Sequence, residues 1–200
     1  MEVSIFLRNF ALKIRENMGR DGFGHAWRDR QWNRKSSTPR ELAPRELKEE
    51  PQFKFKDIYI SPLRQKRHYA EDGYVSYVEM NRNTSPTGIR IFDAYLNYLT
   101  DGGSDLQEFA ERHGLRRDDI DSLVFVLTGM RGVDFRMKYQ VLMADQLLRF
   151  TDMTVAEVSR RAGFGSANNL YLTYKREFNI APGYRRPMLR QEGDVGRYKL

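Results

Sequence analysis

Two stretches of this chain, "LQEFAERHGL" (Leu106 to Leu115) and "TVAEVSRRAGF" (Thr154 to Phe164), repeat one design. Each has an apolar position, a small residue (Ala110 or Ser159) facing the next helix, a Gly at the turn, an apolar residue, and then a new helical period. A glycine there permits the tight left-handed turn that other residues resist. Two helices joined by so short a turn make a helix-turn-helix, which presents its second helix outward. Because the design occurs twice, with the long helical pattern "VDFRMKYQVLMADQLLRF" between, the C-terminal half is expected to be two such units bridged by one helix.

The second presented helix lies within "AGFGSANNLYLTYKREFNIAPGYRR", Ala162 to Arg186. Leu170, Tyr174 and Phe178 fall at i, i+4 and i+8 and form an inward stripe. Asn168, Asn169, Leu172, Lys175 and Arg176 lie opposite. An asparagine amide can pair bidentately with adenine in a major groove, a leucine can touch a thymine methyl, and Lys and Arg suit phosphate oxygens. Ser166 is placed to cap the helix, and Thr154 with Glu157 forms a capping-box pattern one helix earlier. The same types have bland readings: asparagines serve helix N-termini, and cations on an outer face are often only solvated.

On these residues, Ser104 to Arg186 resembles the DNA-binding domain of the AraC/XylS family of bacterial transcription regulators. The resemblance rests on "AEVSRRAGFGS", on Leu170, Tyr174, Lys175 and Phe178, and on "APGYRR" in the second unit. In the first it rests on Ala110, Gly114, Leu115 and "LTG" at Leu127 to Gly129, with "ADQLL" ending the bridge. It covers 83 of 200 residues. It implies a mainly α protein with a C-terminal double helix-turn-helix bundle, two recognition helices entering successive major-groove segments, and regulation of transcription. Carried onto this chain, Asn168 and Asn169 would read bases, Leu172 would make an apolar base contact, and Arg160, Lys175, Arg176 and Arg186 would hold phosphates. Double-stranded DNA is the expected partner, with RNA polymerase, another protein or a second copy as further candidates.

The first unit departs from that picture. Its presented helix, "RRDDIDSLVFVL", turns Asp118, Asp119, Ser122, Phe125 and Val126 outward once Ile120, Leu123, Val124 and Leu127 are taken as core. Asp105 to Thr128 holds 3 basic and 6 acidic residues, whereas Gly129 to Arg186 holds 10 basic and 5 acidic. Acids in a helix first turn are stabilised by the dipole, and carboxylates on a groove-facing helix are repelled by phosphates; the two readings of Asp118 and Asp119 are compatible. Phe125 and Val126 call for a cover, and the alternative function is a protein-interaction module that docks a partner through them.

The first hundred residues read as a basic α+β region of unassigned role, with a boundary near Gly102. It comprises a short amphipathic helix over 2–18, a polar arm over 19–50, a strand at "FKFKDIYI" (Phe53 to Ile60) paired with "YVSYVEM" (Tyr74 to Met80), and a helix over 89–100. Ser104 is read as the N-cap of the next helix, and 187–200 as a tail. Arg20 to Arg67 carries 13 basic against 7 acidic residues, so this arm could lie along DNA or simply be a solvated linker. Two strands are too few for the effector-binding barrel that many relatives carry, so no small-molecule effector is implied.

Other chemistry is not signalled. There is no cysteine, His25, His68 and His113 lack ligand spacing, and "DGFGH" lacks the Lys-Ser/Thr of a phosphate loop. No enzyme, metal or cofactor is expected. No run approaches the ~18 apolar residues of a spanning helix, and the start lacks a signal-peptide cleavage pattern, so a cytoplasmic protein without membrane contact is expected.

Overall fold

A computed structural model describes residue 47 and residues 50–200. The expected helix over 2–18 and nearly all of the arm over 19–50 lie outside these residues. The first element, α1, is a single turn, Phe55–Ile58. The expectation of a strand over 53–60 is thus overturned. Its apolar side chains find a helix surface instead of a sheet: the Phe55 ring meets Phe135 edge-on at 5.4 Å, and Ile58 and Ile60 are buried.

Strand β2, Val75–Glu79, forms where a strand was read, but its partner is β1, Gln65–Tyr69, in antiparallel register with Lys66 opposite Val78. A third strand, β3, Tyr198–Lys199, pairs with β1 on the other side, giving the order β2-β1-β3.

Helix α2, Arg90–Thr100, buries Phe92, Tyr95, Leu96 and Leu99. These pack in one cluster with Phe109, Ile120, Val124, Phe135 and Tyr139, so residues on either side of Gly102 share one core. The first unit follows: α3, Leu106–Arg112, the turn at Gly114 (φ 68°), and α4, Arg117–Thr128. The cap of α3 is Asp105 rather than Ser104. Its carboxylate accepts from the N–H groups of Gln107 (2.8 Å) and Glu108 (3.2 Å), while the Ser104 carbonyl takes the Arg136 guanidinium.

The bridging helix α5, Gly132–Phe150, is buried continuously from Tyr139 to Leu148. A helix surrounded on all sides must be apolar all round or have its polar groups paired. Both hold here. Phe135 and Tyr139 enter the first core, and Val141, Met143, Ala144, Leu147 and Leu148 enter a second with Val158, Ala162, Leu170 and Tyr174. Among its polar residues, Gln146 accepts from the hydroxyls of Tyr59 (2.8 Å) and Ser61 (3.1 Å).

The second unit is α6, Val155–Arg161, and α7, Ala167–Phe178, followed by α8, Pro182–Leu189. The residues read as a tail fold back. Arg149 and Asp194 form a 2.6 Å ion pair with Asp194 1% exposed, and β3 closes the sheet beyond it. Among the described residues no helix is long and apolar enough to cross a membrane.

Candidate nucleic-acid interface

Helix α7 is fixed at three points. At its start the Ser166 hydroxyl accepts from the Asn169 N–H at 3.2 Å, a cap worth about 1 kcal/mol. On its inner side Leu170 and Tyr174 are fully buried, each contributing roughly 1.5–3 kcal/mol, with the Phe178 ring 5.2 Å from that of Tyr174. At its end Asn179 takes the left-handed conformation, φ 58°, and closes the helix. The inward stripe is therefore the one the sequence spacing predicts.

The turn before α7 is packed backbone against backbone. Gly163, φ 80°, has the Gly102 carbonyl 3.0 Å from where a Cβ would stand, and its own carbonyl accepts from the Gln140 amide at 2.8 Å. Arg161 donates to the Thr100 carbonyl at 3.1 Å. These contacts seat the second helix-turn-helix on the turn that leads into the first.

The outer face of α7 carries Asn168, Asn169, Tyr171, Leu172, Lys175 and Arg176, all exposed. Asn168 makes no polar contact among the described residues, whereas the Asn169 amide donates to the Phe164 carbonyl at 3.0 Å and so helps to close the turn. Leu172 is 57% exposed. Lys175 lies 5.9 Å from the Tyr171 ring, and the Arg176 guanidinium is 2.9 Å from Glu177. Arg160 is exposed on the last turn of α6. The one member placed elsewhere is Arg186, whose guanidinium donates to the Met153 carbonyl. Burial there holds its pKa below the ordinary arginine value.

The sequence reading missed Tyr171, which helical spacing alone could have put beside Lys175, four residues on. It also missed a buried triad behind the face: the Asp145 carboxylate accepts from the Tyr174 hydroxyl at 2.7 Å and from Arg185 at 2.7 and 2.9 Å. Burial, with the Asp145 charge next, pushes the Tyr174 hydroxyl well up from its usual value. Arg185 also lies 3.6 Å over the Phe178 ring, so it ties α8 to α7. No spacing rule joins Asp145 to residues 29 and 40 positions away.

Helix α4 has the same length, 12 residues, and also ends in a left-handed residue, Gly129 at φ 70°. Position by position it offers Asp118 for Asn168, Asp119 for Asn169, Ser122 for Leu172, Phe125 for Lys175 and Val126 for Arg176. Asp119 caps the helix, accepting from the Arg116 N–H at 3.0 Å, and the Arg116 side chain holds its pKa below the ordinary aspartate value. Phe125 is half-buried, and Val126 is 60% exposed. Among the described residues no group of three or more His, Cys, Asp or Glu is placed to hold a metal ion.

No family model matches the chain. Over 55 residues it is 34% identical to the HTH-type transcriptional activator RhaS of Salmonella arizonae, a match covering 28% of this chain and 20% of that protein. The chain thus spans about a fifth of the length of the curated relatives it matches. Among solved structures it is similar to the DNA-binding domain of the global transcriptional factor AdpA, in complex with a target DNA. That match has 27% identity and a TM-score of 0.43 and covers 50% of this chain and 88% of that one. It is also similar to the C-terminal domain of AraT, a response regulator from Geobacillus stearothermophilus, at 15% identity and TM-score 0.46, over 52% of this chain and 86% of that one.

Proposed function

We propose that residues 104–186 carry an AraC/XylS-type double helix-turn-helix and that the protein binds duplex DNA and regulates transcription, reading the major groove through its second unit. The observation that carries this reading is the outer face of α7, where an uncommitted asparagine, an exposed leucine and two cations are presented on a capped, firmly seated helix. Asn168 reads a base, Leu172 touches an apolar base edge, and Lys175, Arg176 and Arg160 hold phosphates. Asn169 and Arg186 serve mainly to shape the site, since each is bonded to local backbone. The first unit, with Asp118 and Val126 at the matching positions, contributes position rather than base contact. Regulation from such a site works through RNA polymerase, by contact or by exclusion.

The test is fluorescence anisotropy with random-sequence duplex DNA over a salt series. Wild type is expected to bind with an affinity that falls steeply as salt rises, and the Lys175→Glu, Arg176→Glu double variant is expected to lose that binding. Retention of binding by the double variant refutes the assignment to α7.

A further inference from the structure

Four helices meet at a cavity of about 10 Å³, lined by Tyr95 of α2, Leu106 of α3, Arg117 of α4, and Gly132, Val133 and Arg136 of α5. Tyr95 is 1% exposed, and its hydroxyl has no hydrogen-bond partner among the described residues. The Nε of Arg136 is buried and likewise has none among them. Both side chains are held in place: the Tyr95 ring packs against that of Phe109 at 5.1 Å, and another nitrogen of Arg136 donates to the Ser104 carbonyl. Buried polar groups in folded proteins are nearly always bonded, so two unbonded ones on a single cavity call for a common partner.

We propose that this cavity binds a single halide ion, ordinarily chloride, between the Tyr95 hydroxyl and the Arg136 Nε–H. The lining supplies donors and positive charge. Burial pushes the Tyr95 hydroxyl well above its usual value, so it stays protonated and donates. Arg117 and Arg136 bring two guanidinium charges, and Val133 stands in the first turn of a 19-residue helix, where main-chain N–H groups lack intrahelical acceptors and the dipole favours an anion. The Asp121 carboxylate, whose charge also reaches Tyr95, is engaged by the Gly132 N–H at 2.9 Å. For the protons of a water the lining side chains offer only the Tyr95 oxygen, whereas a halide has none to place. Size narrows the class further: the cavity holds about one small sphere, which excludes phosphate, sulfate and organic carboxylates. The site stands independently of the DNA reading.

Thermal melts of the full chain across a chloride series, held at constant ionic strength with gluconate, test this. The wild-type midpoint is expected to rise by at least about 2 °C as chloride replaces gluconate, because an ion bound only by the folded state stabilises it by mass action. Tyr95→Phe keeps the ring and removes the donor, and its midpoint should not depend on chloride. Bromide should replace chloride in wild type, and crystals grown in bromide should show an anomalous peak within hydrogen-bond distance of the Tyr95 Oη and the Arg136 Nε. A wild-type melt indifferent to chloride overturns the proposal, and a bromide peak alongside such a melt is then an adventitious ion only. An equal rise in Tyr95→Phe also overturns it, by placing the ion elsewhere. Should that variant fail to fold, the bromide crystals decide: a peak at the cavity upholds the site, and a water in its place overturns it.

Discussion

Asn168 and Asn169 are adjacent, yet only one keeps its amide uncommitted. Asn169 is oriented by the Phe164 carbonyl, and Asn168 faces outward with no polar partner among the described residues. Asn168→Ala should therefore relax base preference at one position by about 1–3 kcal/mol, whereas Lys175→Ala should weaken binding to all sequences alike and lower the salt slope by about one. Competition binding against a randomised site library separates the two, and equal losses on every sequence for both variants would count against the division of roles. Tyr139 makes a different residue-level prediction. Its hydroxyl is bonded to Thr100 at 2.7 Å and to the Ile60 N–H and carbonyl, and burial pushes it up to about 12. The folded state thus favours the neutral phenol relative to an unfolded value near 10. That stability is complete below about pH 10 and is lost as pH rises towards 12. Buried Tyr59 and Tyr174 are raised too and act with the same sign. Urea midpoints measured at pH 9 and pH 11 should fall accordingly.

At the scale of elements, spacing located the helices between residues 89 and 178, passed over the short ones at Phe55–Ile58 and Pro182–Leu189, and misplaced a strand. The stripe Leu170, Tyr174, Phe178 and the capping pair Thr154 and Glu157 are local features, and both occur where the spacing puts them. Phe53 to Ile60 alternates like a strand, but alternation says nothing about whether a neighbour exists to complete a sheet; α5 offered Phe135 and Tyr139 instead. Conversely, β1 reads "QKRHY", with no apolar alternation, and is a strand because β2 and β3 flank it. The turn between α6 and α7 carries the sharpest prediction at this scale. In Gly163→Ala the left-handed backbone costs roughly 1–2 kcal/mol, and the new methyl would stand 2.9 Å from the Gln140 amide nitrogen and 3.0 Å from the Gly102 carbonyl. Urea denaturation should show a loss of at least about 1 kcal/mol.

Across the whole molecule, the bridging helix and the folded-back C-terminus make one body of the described residues from 50 onward. The Asp194 carboxylate receives Arg149 at 2.6 Å and the Gln191 N–H at 2.9 Å, with Arg197 at 3.8 Å, in a setting where Asp194 is 1% exposed. Beyond it Tyr198 stacks edge-on against Phe150 at 4.8 Å. Asp194→Ala leaves the largely buried Arg149 guanidinium without that acceptor, and breaking such a pair costs about 3–5 kcal/mol. The expected outcome is a lowered urea midpoint together with faster amide exchange in β1 and β3, since the same segment carries the third strand.

The sequence alone determined the double helix-turn-helix, the inward stripe of α7 and the contrast between a basic and an acidic presented helix. Each of these is written in short-range spacing: helical periods, capping residues, a glycine at a turn, charges per segment. Only the tertiary structure decided which outward groups are uncommitted, because Asn169, Arg185 and Arg186 look as available as Asn168 until their partners Phe164, Asp145 and Met153 come into range. It also decided the sheet, since pairing joins residues 65–69 to a strand more than a hundred positions away and leaves no local signature. Local patterns fix what a segment can become; contacts distant in sequence fix which of its groups remain free to act.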